Sequence, residues 1–163
     1  MEIEILTTDG TIEGIDTVDN LENINSKVSI SDFLDAANIT LEYDIRHLFH
    51  KDSRAITDDD RELVATKIKE SKSSKILITH GTFTMEATAK YLGRRDLNKT
   101  IVLVGSFTLG SSINTDAPFN LGFAICALEF LENGVYVAIN GQLLDWNNVT
   151  KNLETNKFEQ SDD

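Results

Sequence analysis

Hydrophobic and polar positions along this chain follow patterns typical of strands and of helices, and the two kinds of pattern alternate. The runs "KILITHG" from residue 75 and "TIVLVGS" from residue 100 are continuously apolar, which is typical of strands buried on both faces of a sheet. Alternating residues in "EIEIL" near the N-terminus and in "ITLEYDI" from residue 39 predict two further strands. Helical patterns occupy the segments between them.

The predicted helices have recognisable starts and stops. Ser29 or Ser31 is suited to cap a short helix, and Thr57 precedes three aspartates in a first turn, where the helix dipole favours negative charge. The next helix, "TMEATAKYLGR", stops at Gly93. The last one begins at Pro118 and is apolar on nearly every side, so we expect it to be largely buried.

Strands that alternate with helices imply an α/β fold. We predict a Rossmann-like or flavodoxin-like doubly wound, mainly parallel sheet that ends in a C-terminal β-hairpin, with Asn140 and Gly141 in the hairpin turn because both tolerate positive φ. The 163 residues, 40% of them hydrophobic, suffice for a single domain with one core. Residues 14–27 and the segment after residue 146 are polar and weakly patterned, so we expect both on the surface.

Charge and cysteine content limit the partners and the cellular compartment that we expect for this protein. The formal net charge of −12 repels phosphate backbones and anionic lipids, so we expect no nucleic-acid or membrane partner. No stretch approaches the ~18 apolar residues of a membrane span, and the N-terminus lacks the basic start of a secretory signal. Cys126 is the only cysteine and lies in an apolar run, which predicts a buried, inert thiol. We therefore expect a cytoplasmic protein.

Residues suited to ligand binding or catalysis cluster in three turns that follow predicted strands. These turns are "LTTDGTIEG", "ITHGTFTMEAT" and "VGSFTLGSSINTDAPFN". Open parallel sheets bind ligands beyond the carboxyl ends of their strands. Glycine lets backbone amides approach a ligand, and threonine supplies a potential nucleophile. Such turns also contain Gly and Thr for structural reasons, so composition alone leaves both interpretations open.

The order of these turns resembles the N-terminal domain of the L-asparaginase family, the amidohydrolases that use threonine. "TDGTI" is similar to the family's Thr-Gly-Gly-Thr-Ile signature, with Thr11 at the nucleophile position and Asp9 in place of a glycine. The resemblance spans about residues 3–155, so we assign residues 1–155 to an asparaginase N-terminal-like domain and residues 156–163 to a polar tail. It implies acyl transfer, in which threonine attacks an amide, ammonia leaves and water releases the acid.

Further site residues follow from the same resemblance. "THGTFTMEAT" is similar to the second family signature, which implies roles for Gly81 and Thr82 and places Phe83 where the family has aspartate. "VTK" places Lys151 at the family's catalytic lysine, and "KDSR" places Ser53 at the segment that holds the substrate carboxylate. Lys151 could equally be an ordinary solvated lysine. If it is buried beside Thr82, its pKa should fall and it could act as a base.

The chain also departs from the family pattern. Asn23 aligns roughly with a tyrosine that assists the family's nucleophile, and Phe83 can neither bind an ammonium group by a salt bridge nor link threonine to lysine. The family's C-terminal domain has no counterpart in these residues. Phe83 could either pack under a loop or make the pocket apolar where an amino acid's ammonium would sit. Both interpretations disfavour ordinary asparagine hydrolysis.

Three hypotheses remain open. The first is an asparaginase-like amidohydrolase acting on a side-chain or small-molecule amide, with weak activity or an altered substrate. The second is a catalytically impaired binding or assembly module, and the third is a subunit whose site a separate chain completes. In each case the expected ligand is a small-molecule amide or amino acid, and we expect a homo-oligomer because a missing second domain leaves apolar surface to cover.

We expect no cofactor and no metal. His47 and His50 are spaced for a metal pair but lack a third spaced ligand, and the "GSSINTD" loop lacks the lysine of a phosphate-binding loop. His80 lies within the second signature, beside Gly81 and Thr82, where we favour a structural role over base catalysis.

Overall fold

A six-stranded sheet forms the centre of the computed structural model, which describes residues 2–8, 10–13 and 28–161. Five strands run parallel, and the sixth is antiparallel to its neighbour. In chain order they are β1 (Glu2–Thr7), β2 (Glu42–His47), β3 (Lys75–Thr79), β4 (Thr100–Val104), β5 (Gly134–Ile139) and β6 (Gln142–Asp145). The spatial order β2-β1-β3-β4-β5-β6 confirms the predicted doubly wound, flavodoxin-like sheet. The order reverses between β1 and β3, which is where such folds bind ligands.

Helices cover both faces of the sheet. They are α1 (Ile30–Ala36), α2 (Asp58–Glu70), α3 (Met85–Gly93) and α4 (Ala117–Phe130). One apolar cluster packs α2 and α3 against the sheet, and a second packs α1 and α4 against the opposite face. β1, β3, β4 and β5 contribute side chains to both clusters, which explains why β3 and β4 are apolar throughout.

The predicted helix starts agree with the structure. The Thr57 side chain accepts a hydrogen bond from the Asp60 N–H, and the Asp60 carboxylate accepts one from the Thr57 N–H, which together form a capping box. Ser29 forms the same arrangement with Asp32, so Ser29 rather than Ser31 is the cap of α1. These contacts satisfy amide groups that have no partner within the helix.

The prediction for α4 was only partly right. Its sheet-facing side is buried as expected, but Cys126 is exposed, contrary to the predicted buried thiol, and Phe119 and Phe130 are 62% and 80% exposed. A helix packed on one face of a sheet can bury only one side. Apolar residues all round the helix therefore leave apolar side chains in solvent.

The C-terminal segment is more ordered than the sequence suggested. The Asn140–Gly141 turn joins β5 to β6 with both residues at positive φ, as predicted. Beyond it, β7 (Val149–Asn152) and β8 (Lys157–Gln160) form a second, antiparallel sheet where we expected only a polar surface segment. Phe158 packs into the main core, so this hairpin is anchored rather than loose. The proposed boundary after residue 155 falls in the turn between β7 and β8.

Candidate active site

Three chain segments that follow strands meet at two glycines. Gly10, after β1, has φ +145°, and a Cβ atom there would lie 2.8 Å from the Gly81 nitrogen. A Cβ atom on Gly81, after β3, would lie 2.6 Å from the Ser53 Oγ. The Thr84 hydroxyl also donates to the Ser53 carbonyl at 2.5 Å. Only residues without side chains allow the segments after β1, β2 and β3 to approach so closely.

A cavity of about 230 Å³ lies at this junction. It brings together all six site residues that the sequence indicated, although they come from four separate parts of the chain. Its lining consists of Gly10, Thr11, Asp52, Ser53, Arg54, Gly81, Thr82, Phe83, Phe107, Lys151 and Asn156. Phe107 and Asn156 were not among the predicted site residues. The turn after β4 was expected to carry chemistry, but no local pattern singles out Phe107 within it or shows that the turn before β8 reaches the cavity.

Lys151 contacts Thr82 inside this cavity. Its Nζ lies 3.0 Å from the Thr82 Oγ1, and both residues are buried. Burial removes water from the ammonium group and lowers the Lys151 pKa below its usual range. The interpretation of Lys151 as a solvated surface lysine was therefore wrong. A lysine with a lowered pKa and a hydroxyl partner is suited to proton transfer.

Secondary structure fixes the position of Lys151. Its backbone N–H donates to the Glu86 Oε2 at 2.9 Å, and the Glu86 Oε1 forms a salt bridge with the Lys90 Nζ at 2.6 Å. Because Glu86 lies in the first turns of α3, this contact joins β7 to the helix that follows Thr82. The Glu86 contact thus holds the strand that carries Lys151 against the helix that follows Thr82.

Aromatic rings surround the Lys151 ammonium group. Its Nζ lies 4.6 Å from the centre of the Phe83 ring, 5.2 Å from that of Phe107 and 5.7 Å from that of Phe158. The negative faces of aromatic rings attract cations, which partly offsets the cost of burying the charge. Phe107 and Phe158 also contact each other edge to face, with centroids 6.1 Å apart. The hairpin of β7 and β8 supplies both the lysine and part of its aromatic surroundings.

Phe83 is 56% exposed, so it does not pack under a loop. The Arg54 guanidinium lies 4.7 Å from the centre of its ring, and Lys151 lies against the same ring. Asp52 accepts from the Arg54 Nε at 2.9 Å and from one terminal nitrogen at 2.8 Å, which fixes the plane of the guanidinium. One aromatic ring therefore has two cationic neighbours at the cavity.

The buried His80 supports the turn that carries Thr82. Its Nδ1 donates to the Gly81 carbonyl at 2.8 Å, so its Nε2 accepts from the Thr88 hydroxyl, also at 2.8 Å. The Arg61 Nε donates in turn to the Thr88 Oγ1 at 3.1 Å. Burial lowers the His80 pKa to about 4, which keeps the ring neutral. This network agrees with the structural role expected for His80.

Asp116 orders the loop that carries Phe107. Its carboxylate accepts hydrogen bonds from the N–H groups of Phe107 and Thr108 and from the Asn120 side-chain amide. Asn120 is fully buried and also donates to the Gly105 carbonyl at 2.9 Å. These bonds fix the loop at the end of β4, where Phe107 faces Lys151.

Of the other residues that the sequence singled out, Asp9 and Asn23 lie outside the described residues, whereas Thr11 lines the cavity. Thr11 begins a short 3-10 helix, Thr11–Glu13, and its carbonyl accepts from the Gly110 N–H at 2.8 Å. Among the described residues, no group of three His, Cys, Asp or Glu side chains could hold a metal ion, and His47 instead bonds the Thr7 hydroxyl at 2.7 Å.

Comparison with known proteins identifies the family of this chain. The sequence model of the family described as "Asparaginase, N-terminal" matches residues 2–160. The chain is 32% identical to L-asparaginase 2 of Escherichia coli (strain K12) over 94% of its own length and 47% of that protein's. It thus spans about half the length of the curated relatives it matches. In the described part of the chain, no helix has the length and apolar character to cross a membrane.

Solved structures show the same relationship. A "probable cytoplasmic L-asparaginase" from Campylobacter jejuni superposes with a TM-score of 0.84 and 30% identity, over 99% of this chain and 53% of that one. The thermostable L-asparaginase from Thermococcus kodakarensis gives a TM-score of 0.83 and 28% identity, over 98% and 51% of the two chains. Sequence and fold agree along nearly the whole chain. This chain belongs to the asparaginase family.

Proposed function

We propose that this chain is an asparaginase-type amidohydrolase that uses Thr11 as its nucleophile. The observation that carries the proposal is the 3.0 Å contact between Lys151 and Thr82 in a cavity that Thr11 also lines. A threonine hydroxyl is a weak nucleophile until a neighbouring group accepts its proton. Lys151 with a lowered pKa, acting through Thr82, is the group in this cavity suited to that task.

The proposed reaction proceeds in two steps. The Thr11 oxygen adds to the carbon of a side-chain or small-molecule amide, and its proton passes to the base. The bond between carbon and nitrogen then breaks, the nitrogen takes up a proton, and ammonia leaves an ester on Thr11. Water attacks this ester, which releases the carboxylic acid and restores the hydroxyl. No step requires a cofactor or a metal ion.

The surrounding residues bear on substrate binding. Ser53 and Gly81 form one wall of the cavity, where we place the part of the substrate beyond the amide. Phe83 contributes an exposed ring to the same cavity, in the position where the resemblance implies an aspartate. We therefore expect weak activity towards asparagine or a different preferred substrate.

Ammonia release from a panel of amides tests the proposal. Thr11→Ala, Thr82→Ala and Lys151→Met should each abolish turnover while the circular dichroism spectrum stays native. Thr66→Ala and Lys72→Met are matched controls, since both residues are exposed and neither lines the cavity. Turnover that survives in Thr11→Ala at the wild-type rate would refute Thr11 as the nucleophile.

A catalytically impaired binding or assembly module is the second candidate. Phe83 favours it, because an aromatic ring beside Lys151 cannot accept a proton as a carboxylate would. This candidate predicts no ammonia release above background from any amide, together with ligand binding that Thr11→Ala leaves intact.

We extend the proposal to the oligomeric state of the chain and to its cellular compartment. Ile113, Leu153 and Phe130 expose most of their side chains, at 97%, 78% and 80%, and we propose that self-association or a complementing subunit covers such surface. Sedimentation equilibrium of the purified chain distinguishes a monomer from a homo-oligomer. We further propose a cytoplasmic location, which fits the single cysteine, and cell fractionation tests it.

A further inference from the structure

We infer that the cavity selects amides that carry a carboxylate but no ammonium group, with Arg54 as a residue that determines this specificity. The inference rests on the proposed function and names its substrate class. The member of this class that corresponds to asparagine is the monoamide of a four-carbon dicarboxylic acid, succinamate. It differs from asparagine only in lacking the α-ammonium group.

The charges that line the cavity exclude an ammonium group. Of the described residues that line the cavity, three are ionisable: Asp52, Arg54 and Lys151. Asp52 directs both carboxylate oxygens at Arg54, at 2.9 and 2.8 Å. Among the described lining residues, a ligand ammonium would therefore find the single carboxylate, Asp52, already engaged by a guanidinium, and Lys151 offers it no negative charge in either protonation state. A charge that loses water without gaining a partner binds poorly.

Phe83 reinforces this exclusion. Both cations of the lining lie against its ring, with Arg54 at 4.7 Å and Lys151 at 4.6 Å from the ring centre. The ring supports these cations by its quadrupole. Unlike a carboxylate, it supplies no full negative charge for a ligand ammonium. The space beside Phe83 thus suits the apolar carbons of a ligand.

The same lining favours a carboxylate. Among the described lining residues, Arg54 and a protonated Lys151 outnumber Asp52, and with Lys151 neutral the charges balance, whereas the chain as a whole has a net charge of −12. The described lining therefore carries no net negative charge. Asp52 and Phe83 hold the Arg54 guanidinium in place, and a guanidinium with a fixed plane is suited to carboxylates. The Ser53 hydroxyl lies on the same wall.

Size limits the ligand to a small molecule. The cavity of about 230 Å³ is smaller than the roughly 300–1,000 Å³ of pockets that hold drug-sized ligands. A four-carbon amide matches this scale, with its amide at the Thr82 end and its carboxylate towards Arg54.

The test compares four substrates that share the same primary amide group and differ only in their charged groups. Succinamate carries the carboxylate alone, β-alaninamide the ammonium alone, L-asparagine both and propionamide neither. Ammonia release by the full chain should give a kcat/KM for succinamate about tenfold or more above that for L-asparagine and above that for propionamide, because only succinamate pairs every charge. A kcat/KM for L-asparagine equal to or above that for succinamate would overturn the inference while leaving the amidohydrolase proposal intact.

Substitutions test whether Arg54 and Phe83 cause this substrate preference. Arg54→Gln should bring the ratio of kcat/KM for succinamate to that for propionamide close to one. Arg94→Gln, which removes an exposed arginine outside the cavity, should leave this ratio unchanged. Phe83→Asp should shift the preference towards L-asparagine by about tenfold, because a carboxylate can pair with the ammonium. Phe83→Leu is the control that changes the ring without adding charge, and a similar shift in that variant would contradict the argument.

Binding separates this inference from the proposed activity. If the wild type hydrolyses none of the four amides, calorimetric titration with succinate and L-aspartate still tests the selectivity. Succinate that binds about tenfold more tightly than L-aspartate would support the inference even though the proposed activity had failed. Equal affinity, or no binding of either acid, would overturn it.

Discussion

Burial of the His80 ring makes the stability of this fold depend on pH. The pKa of His80 falls from 6.5 to about 4 because burial disfavours the charged ring. At about pH 7.5 the ring is neutral in both the folded and the unfolded chain, so it adds no pH dependence there. As the pH falls through 6.5, the unfolded chain binds a proton that the folded chain does not, and the free energy of unfolding decreases.

The size of this loss follows from the two pKa values. The gap between 6.5 and about 4 corresponds to about 3 kcal/mol. About 2 kcal/mol of it should be lost between pH 7.5 and pH 5, and the rest as the pH falls to about 4 and below. Asp32 adds a separate loss only at lower pH, because the hydrogen bond from the Ser29 backbone lowers its pKa below 3.8. Measurements between pH 7.5 and pH 5 therefore emphasise His80.

Urea unfolding at a series of pH values measures this dependence. The wild type should lose about 2 kcal/mol by pH 5, and His80→Asn should be less stable at pH 7.5 but should lose much less on acidification. His50→Asn, which removes an exposed imidazole, should retain the wild-type curve. Thr88→Val tests the network without removing the ring, since it deletes the hydroxyl that bonds Nε2. A wild type with constant stability over this range, or a His80→Asn variant with the same loss, would refute the reasoning.

Three further predictions concern other parts of the structure. Gly81→Ala should destabilise the fold by about 1–3 kcal/mol and lower ammonia release, because the new Cβ atom would overlap Ser53; unchanged stability in urea would contradict this. Thr57→Ala should cost about 1 kcal/mol by loss of the α2 cap, whereas Thr66→Ala in the exposed middle of the same helix should cost much less. If Lys151 is the base, kcat/KM should rise with pH, with a midpoint below the usual lysine value of 10.5, because only the neutral amine accepts a proton; a profile without this rise would exclude that role.

The sequence predicts the sheet and its helices well because those elements have strong local patterns. β3 and β4 are apolar throughout because both faces are covered, and Thr57 and Pro118 stand at helix starts for reasons that act within one turn. The Asn140–Gly141 turn is equally local, because positive φ selects those residues. Each of these features depends on residues close together in the chain.

Exposure and short strands were harder to predict because they depend on distant contacts. The apolar pattern of α4 could not show that only one side of the helix reaches the sheet, so Cys126 was wrongly expected to be buried. β7 and β8 have four residues each, too few for a clear alternation, and Val149 and Phe158 anchor the hairpin in the main core. Residues such as Phe107 enter the site through the Asp116 hydrogen bonds, which no local pattern indicates.

The part of the chain with the weakest pattern completes the candidate active site. A two-stranded hairpin is marginal on its own in water, so the position of Lys151 depends on contacts outside its strand. Phe158 anchors the hairpin in the core, and the Glu86 carboxylate accepts the Lys151 N–H. Burial in this setting lowers the Lys151 pKa, and the same packing places its Nζ beside Thr82. Packing of the hairpin and activation of the proposed base are therefore coupled, because the contacts that anchor the hairpin also remove Lys151 from water.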